Sequence, residues 1–131
     1  MKILAAGDLH GDQRKVKELA QLADKKKVDL VVLCGDMLES ELETKNIVGP
    51  FVKNKRKVLL VPGNHETIAT VDFLAQLYDA TNLHGYSIKI NDVGFFGCGS
   101  ANIGLFSLTE KDIYATLKKG FEKVKDAKKK I

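Results

Sequence analysis

The stretch Ile3-Leu4-Ala5-Ala6-Gly7-Asp8-Leu9-His10-Gly11-Asp12 decides how the rest of the chain is read. Its first four residues are an apolar run of the kind that forms a strand buried on both faces. A loop follows in which glycines let the backbone bend sharply, and in which Asp8 and His10 stand two residues apart. Continued in extended form, the pair aims an oxygen and an imidazole at one point. Alone, such a pair is a common pattern and a weak metal signal.

Working outward, Asp12 is placed to cap a helix carrying Val16, Leu19, Ala20 and Ala23 at helical spacing and ending near Lys26. Val28 to Leu33 is a second apolar run, broken by Gly35-Asp36. Lys57 to Val61 is a third, stopped by Pro62-Gly63. Residues 41–54 between them make a poorer helix, because Gly49-Pro50 interrupts it. Thr67 to Ala80 places Ile68, Val71, Phe73, Leu74, Leu77 and Tyr78 mostly on one broad helical face. Three repeats of strand, turn and helix imply βαβ units with right-handed crossovers. The turns at residues 7, 35 and 63 then share one edge of a parallel sheet, the edge where such sheets bind ligands.

After Ala80 the texture changes. Tyr86 to Ile90 alternates like a half-exposed strand, and Val93 to Cys98 follows Asn91-Asp92 closely, which predicts a β-hairpin. A Gly, Ser and Asn loop spans Gly97 to Leu108. Ser107 or Thr109, with Glu110 or Asp112, offers overlapping capping boxes for a helix over 109–126 that carries Ile113, Leu117, Phe121 and Val124. Lys128-Lys129-Lys130-Ile131 repeats the step from lysine to an apolar residue that starts strands at Lys27-Val28 and Lys57-Val58, so another strand is expected to begin there.

With 131 residues, 44% hydrophobic and 29% charged, the chain is expected to form one domain over 1–131 with a sizeable core, its closing strand start leaving truncation open. No apolar run approaches the ~20 residues of a membrane span, and Met1-Lys2 leads straight into a strand rather than a signal peptide. The expected location is cytoplasmic, with no membrane partner. Cys34 and Cys98 read as small buried thiols in a reducing compartment, and the lack of a cysteine cluster argues against a structural zinc. The net charge is +4, with lysines grouped at 25–27, 53–57 and 118–130. They fall at expected helix ends, where they complement the helix dipole, and aromatics are not interleaved with them as stacking platforms. Nucleic acid therefore enters only as a substrate.

The ligand-capable residues at the shared sheet edge are Asp8, His10, Asp36, Asn64 and His65. Oxygen and imidazole donors together suit manganese, iron, zinc, cobalt or nickel better than calcium. Asp36 comes from the middle run and can bridge two ions with one oxygen to each. Two ions about 3.5–4 Å apart clamp the attacking and leaving oxygens of phosphoryl transfer.

Gly7-Asp8-Leu9-His10-Gly11, Gly35-Asp36 and Gly63-Asn64-His65-Glu66, in that order and each behind an apolar strand, resemble the first three motifs of the calcineurin-like metallophosphoesterases. The likeness is strong over residues 1–66 and looser beyond, in the manner of small archaeal and bacterial members. It implies an α/β fold, an αββα sandwich, here lacking the C-terminal strands of the second sheet. It implies that Asp8 and His10 hold a first metal, that Asp36 bridges and that Asn64 holds a second. By the same resemblance His65 is catalytic, facing the substrate phosphate as electrostatic stabiliser or general acid, and Glu66 supports His65 or its loop. The family's later ligands, a strand-end His and a Gly-His-x-His motif, do not occur in this chain. The remaining histidine, His84, reads as a turn residue outside the site.

Two readings follow. One is a phosphoesterase acting on phosphomonoesters or phosphodiesters at a two-metal site, with the second metal thinly held. The other is a truncated or degenerate non-catalytic metal- or phosphate-binding module that works by assembly with a partner. In either, a homo-oligomer would cover the sheet face that the missing strands leave open.

Overall fold

The computed structural model describes residues 1–39, 45–103 and 106–131. A parallel sheet is built from β1 (Ile3–Ala6), β2 (Leu30–Cys34), β3 (Lys57–Val61) and the two-residue β4 (Thr81–Asn82), in that spatial order. The register sets Leu4 beside Val31 and Val31 beside Val58, so one row of apolar side chains crosses the sheet on one face. Helices α1 (Gln13–Lys25) and α2 (Ile68–Tyr78) cover that face. Val16, Ala20 and Ala23 of α1, with Val71 and Leu74 of α2, join Leu4, Val31, Leu33, Val58 and Leu60 in one buried core.

The helix starts follow capping chemistry. The Asp12 side chain accepts from the backbone N–H groups of Arg14 and Lys15, and Thr67 accepts from that of Thr70. Within α2 the apolar face is narrower than its sequence suggests: Phe73 and Leu77 are more than half exposed, because the helix turns only the Val71-Leu74-Ala75 side to the sheet. The expected helix over 41–54 does not form where it is described. Pro50 begins a 3-10 turn over Gly49–Phe51 and a second follows at Lys53–Lys55, while residues 41–44 lie outside the described residues.

The opposite face of the first sheet meets a second, three-stranded sheet of β5 (Ser87–Ile90), β6 (Val93–Phe96) and β7 (Lys129–Lys130). The hairpin pairs Ser87 with Phe96 and Ile90 with Val93, turning through Asn91 at φ 54°. The strand expected at the C-terminal lysines is present as β7, parallel to β6. Leu30, Leu59, Leu83 and Phe95 fill the space between the sheets. Helix α3 (Glu110–Val124) closes the outer side. Of the two capping boxes offered by the sequence it uses Thr109 with Asp112, and a Cβ at Gly120 would lie 2.9 Å from Phe96 Cβ. The layers run helix, sheet, sheet, helix, as expected.

Because the second sheet packs on β2 and β3, the inner face of β1 is left open. Ile3 and Ala5 are exposed there, although Leu4 between them is buried. Among the described residues no helix is long and apolar enough to cross a membrane.

Candidate metal centre

Three loops leave the carboxyl ends of β1, β2 and β3 side by side, and backbone hydrogen bonds carry the sheet pattern past the strands. Asp8 N–H donates to Gly35 O, His10 N–H to Asp36 O at 2.9 Å and Gly11 N–H to Met37 O at 3.0 Å. These bonds hold the first loop on the second in a curled rather than extended form. Asp8, His10 and Asp36 all adopt left-handed backbone, at φ 53°, 46° and 46°, which corrects the extended geometry expected for the Asp-x-His pair. Non-glycine residues in this region carry strain, and such strain clusters where side chains must be aimed.

The curl brings together one ligand atom from each of Asp8, His10 and Asp36, all within 4.8 Å of one another. Asp8 is largely exposed, while His10 and Asp36 are half-buried. Two carboxylates and an imidazole at this spacing match the donor preferences of the divalent transition metals, so the residues present fit such an ion.

The third loop is tied to the second through two carboxylates. Asp36 Oδ1 accepts the backbone N–H of Asn64 at 3.0 Å and that of His65 at 3.3 Å. Oδ1 thus takes two backbone N–H groups of the third loop. Glu66 is buried at 1% exposure. Its Oε1 accepts from Leu38 N–H and its Oε2 from Gly63 N–H, each at 2.8 Å. Glu66 thereby ties the loop after β2 to the loop after β3, and no described bond joins it to His65. Gly63 has no room for a side chain, since a Cβ there would lie 2.0 Å from Asp36 Oδ1.

His65 stands edge-on to His10, with ring centroids 4.9 Å apart, and so borders the Asp8-His10-Asp36 group without joining it. Asn64 lines a cleft of about 260 Å³ together with Asp8, Asp36, Cys34 and the loop Cys98 to Ala101. Cys34 is exposed and Cys98 half-buried, which corrects the reading of both as buried thiols. Cys34 ends β2 at the mouth of that cleft, beside Asp8 and Cys98. Partial burial still pushes both thiols above the usual cysteine range.

Two residues have contacts that motif reading missed. His84 is outside the metal group, yet its Nδ1 accepts the Gly99 N–H at 3.1 Å and so holds one wall of the cleft. The Ser100 N–H donates to Pro62 O at 2.8 Å beside it. Glu39 places Oε2 3.3 Å from His10 Nδ1. Its signal in the sequence was a second acidic position on the loop after β2, three residues beyond Asp36.

The family model for calcineurin-like phosphoesterases matches residues 1–126. The crystal structure of TT1561 of Thermus thermophilus superposes with a TM-score of 0.79 at 16% identity, covering 97% of this chain and 64% of that one. A second crystal structure superposes with a TM-score of 0.70 at 13% identity, covering 92% of this chain and 63% of its own. The chain thus spans somewhat less than two thirds of the length of these structural relatives, and at such identities the likeness is one of fold. No curated protein matches the sequence.

Proposed function

The chain belongs to the calcineurin-like phosphoesterase family, and from that premise we propose that residues 1–131 act as one metallophosphoesterase domain, hydrolysing phosphomonoesters or phosphodiesters at the Asp8-His10-Asp36 centre. The observation that carries the reading is the convergence of those three ligand atoms within 4.8 Å.

Asp8, His10 and Asp36 would hold the first divalent ion, and Asp36 with Asn64 a second, more weakly. Manganese, iron, zinc, cobalt and nickel all suit the donors. When bound, such ions supply positive charge that activates water and offsets charge on the phosphate. The chain's own residues do the rest. His65, whose ring meets that of His10, would face the phosphate as an electrostatic stabiliser or give a proton to the departing oxygen. Glu66 and the Asp36–Asn64 bond tie the second and third loops together, which would hold the donors and His65 in a fixed relation.

Titration calorimetry of metal-free protein with Mn²⁺ tests the centre. Binding of at least one ion per chain, lost in Asp8→Asn and in His10→Ala, is expected. Equal binding by the variants would overturn the assignment.

A second reading is favoured by the exposed Ile3 and Ala5 on the inner sheet face. There the chain is a non-catalytic metal- or phosphate-binding module that works through assembly, a second copy covering the open face. Metal binding without turnover of any aryl phosphate ester separates it from the first reading. Nucleic acid stands only as a substrate of the first reading, and binding that falls steeply with salt but leads to no hydrolysis would contradict that.

A further inference from the structure

We propose that Glu39 is a positioning residue that sets the tautomer and orientation of His10 for metal binding, an inference that rests on the metal-dependent reading above. His10 presents its two ring nitrogens to different partners. Nε2 lies 3.9 Å from Asp8 Oδ1, on the side of the metal group, and Nδ1 lies 3.3 Å from Glu39 Oε2. A neutral imidazole carries one proton, and the nitrogen without it is the only one able to bind metal. A carboxylate this close to Nδ1 favours the proton on that nitrogen and leaves the Nε2 lone pair on the side of Asp8. Carboxylates on the outer nitrogen of a ligating histidine serve this purpose widely.

The placement of Glu39 is built rather than incidental. Its neighbour Leu38 is fully buried and has its N–H held by the buried carboxylate of Glu66 at 2.8 Å. On the other side, Met37 is also fully buried and its carbonyl accepts the Gly11 N–H at 3.0 Å. The backbone that delivers Glu39 is therefore anchored to the loops of both β1 and β3. The side chain itself is 65% exposed, so it contributes little to the core, and it is not one of the three residues whose ligand atoms converge. Its effect on the centre runs through His10.

Because Glu39 is exposed, Glu39→Ala is expected to fold as the parent does, which a far-ultraviolet spectrum checks. The test is ¹⁵N NMR of the His10 ring in metal-free protein at about pH 8, where an ordinary imidazole is neutral, followed by calorimetric titration with Zn²⁺. The parent should show the proton on Nδ1. Glu39→Ala should move His10 toward a mixture of tautomers and weaken Zn²⁺ binding about 10-fold, while Glu39→Gln, which keeps an acceptor, should restore the Nδ1–H tautomer. An unchanged tautomer and unchanged affinity in Glu39→Ala would overturn the role of Glu39 and leave the metal centre standing. A parent protein that binds no Zn²⁺ would overturn the metal centre and this inference with it.

Discussion

Asp36 accepts the backbone N–H of Asn64 at 3.0 Å through Oδ1, so one carboxylate both belongs to the metal group and fastens the loop after β3 to the loop after β2. The close approach depends on Gly63, where a Cβ would meet Asp36 Oδ1 at 2.0 Å. Gly63→Ala should therefore swing Asp36 out of the group and weaken Mn²⁺ binding about 10-fold or more with the helical spectrum unchanged. Calorimetry that finds affinity within twofold of the parent would contradict this.

Glu66 satisfies two backbone donors, Leu38 N–H and Gly63 N–H, from a side chain only 1% exposed. Removing it leaves both without a partner in a buried setting. Glu66→Ala should cost about 3 kcal/mol in urea unfolding, the scale of two lost bonds to a charged acceptor. Glu66→Gln should cost less, because its amide oxygen still accepts one of them. A loss below about 1 kcal/mol in Glu66→Ala would show that water replaces the carboxylate.

Acid should loosen α1 through its cap. The backbone N–H of Lys15, then that of Arg14, lower the Asp12 carboxyl below the usual carboxylate range. A depressed folded value means that the stabilisation is present above the unfolded value and is lost as pH falls through the folded one. Stability should thus drop below about pH 4 more steeply in the parent than in Asp12→Asn, which caps the helix without titrating. Parallel stability curves for the two proteins would refute the point.

The open inner face of β1 predicts self-association. Ile3, 38% exposed on that face, is the position to charge: the parent should show a concentration-dependent rise in sedimentation coefficient, and Ile3→Glu should abolish it. A parent that stays monomeric at millimolar concentration would remove the homo-oligomer from the account.

Much of the architecture was legible because each strand ends in residues that stop strands. Ala6-Gly7, Cys34-Gly35 and Val61-Pro62-Gly63 each mark the point where pairing gives way to a loop, and Asp12, Thr67 and Thr109 mark where helices start. What stayed hidden depends on tertiary partners. Thr81-Asn82 is too short to show a period, and it becomes a strand only by pairing with Leu59 and Leu60. Phe73 and Leu77 fit the helical pattern but face away from the sheet. Cys34 reads as core, but it ends β2 at the open cleft of the strand-end loops. Within the centre, residue types and spacing pointed to Asp8, His10 and Asp36. The left-handed backbone that aims them, the occupancy of Asp36 Oδ1 and the contact of Glu39 with His10 arise from loops meeting across the sheet edge, which no local pattern encodes.

The central claim is that the three converging donors make a metal-dependent phosphoesterase site, and hydrolysis of an aryl phosphodiester with and without Mn²⁺, by the parent and by Asp36→Asn, tests it most directly. Stimulation by Mn²⁺ in the parent and a loss of at least about 100-fold in Asp36→Asn are predicted, as expected when several kcal/mol of metal-supplied stabilisation is removed. Hydrolysis that proceeds equally without metal, or that survives intact in Asp36→Asn, would contradict it.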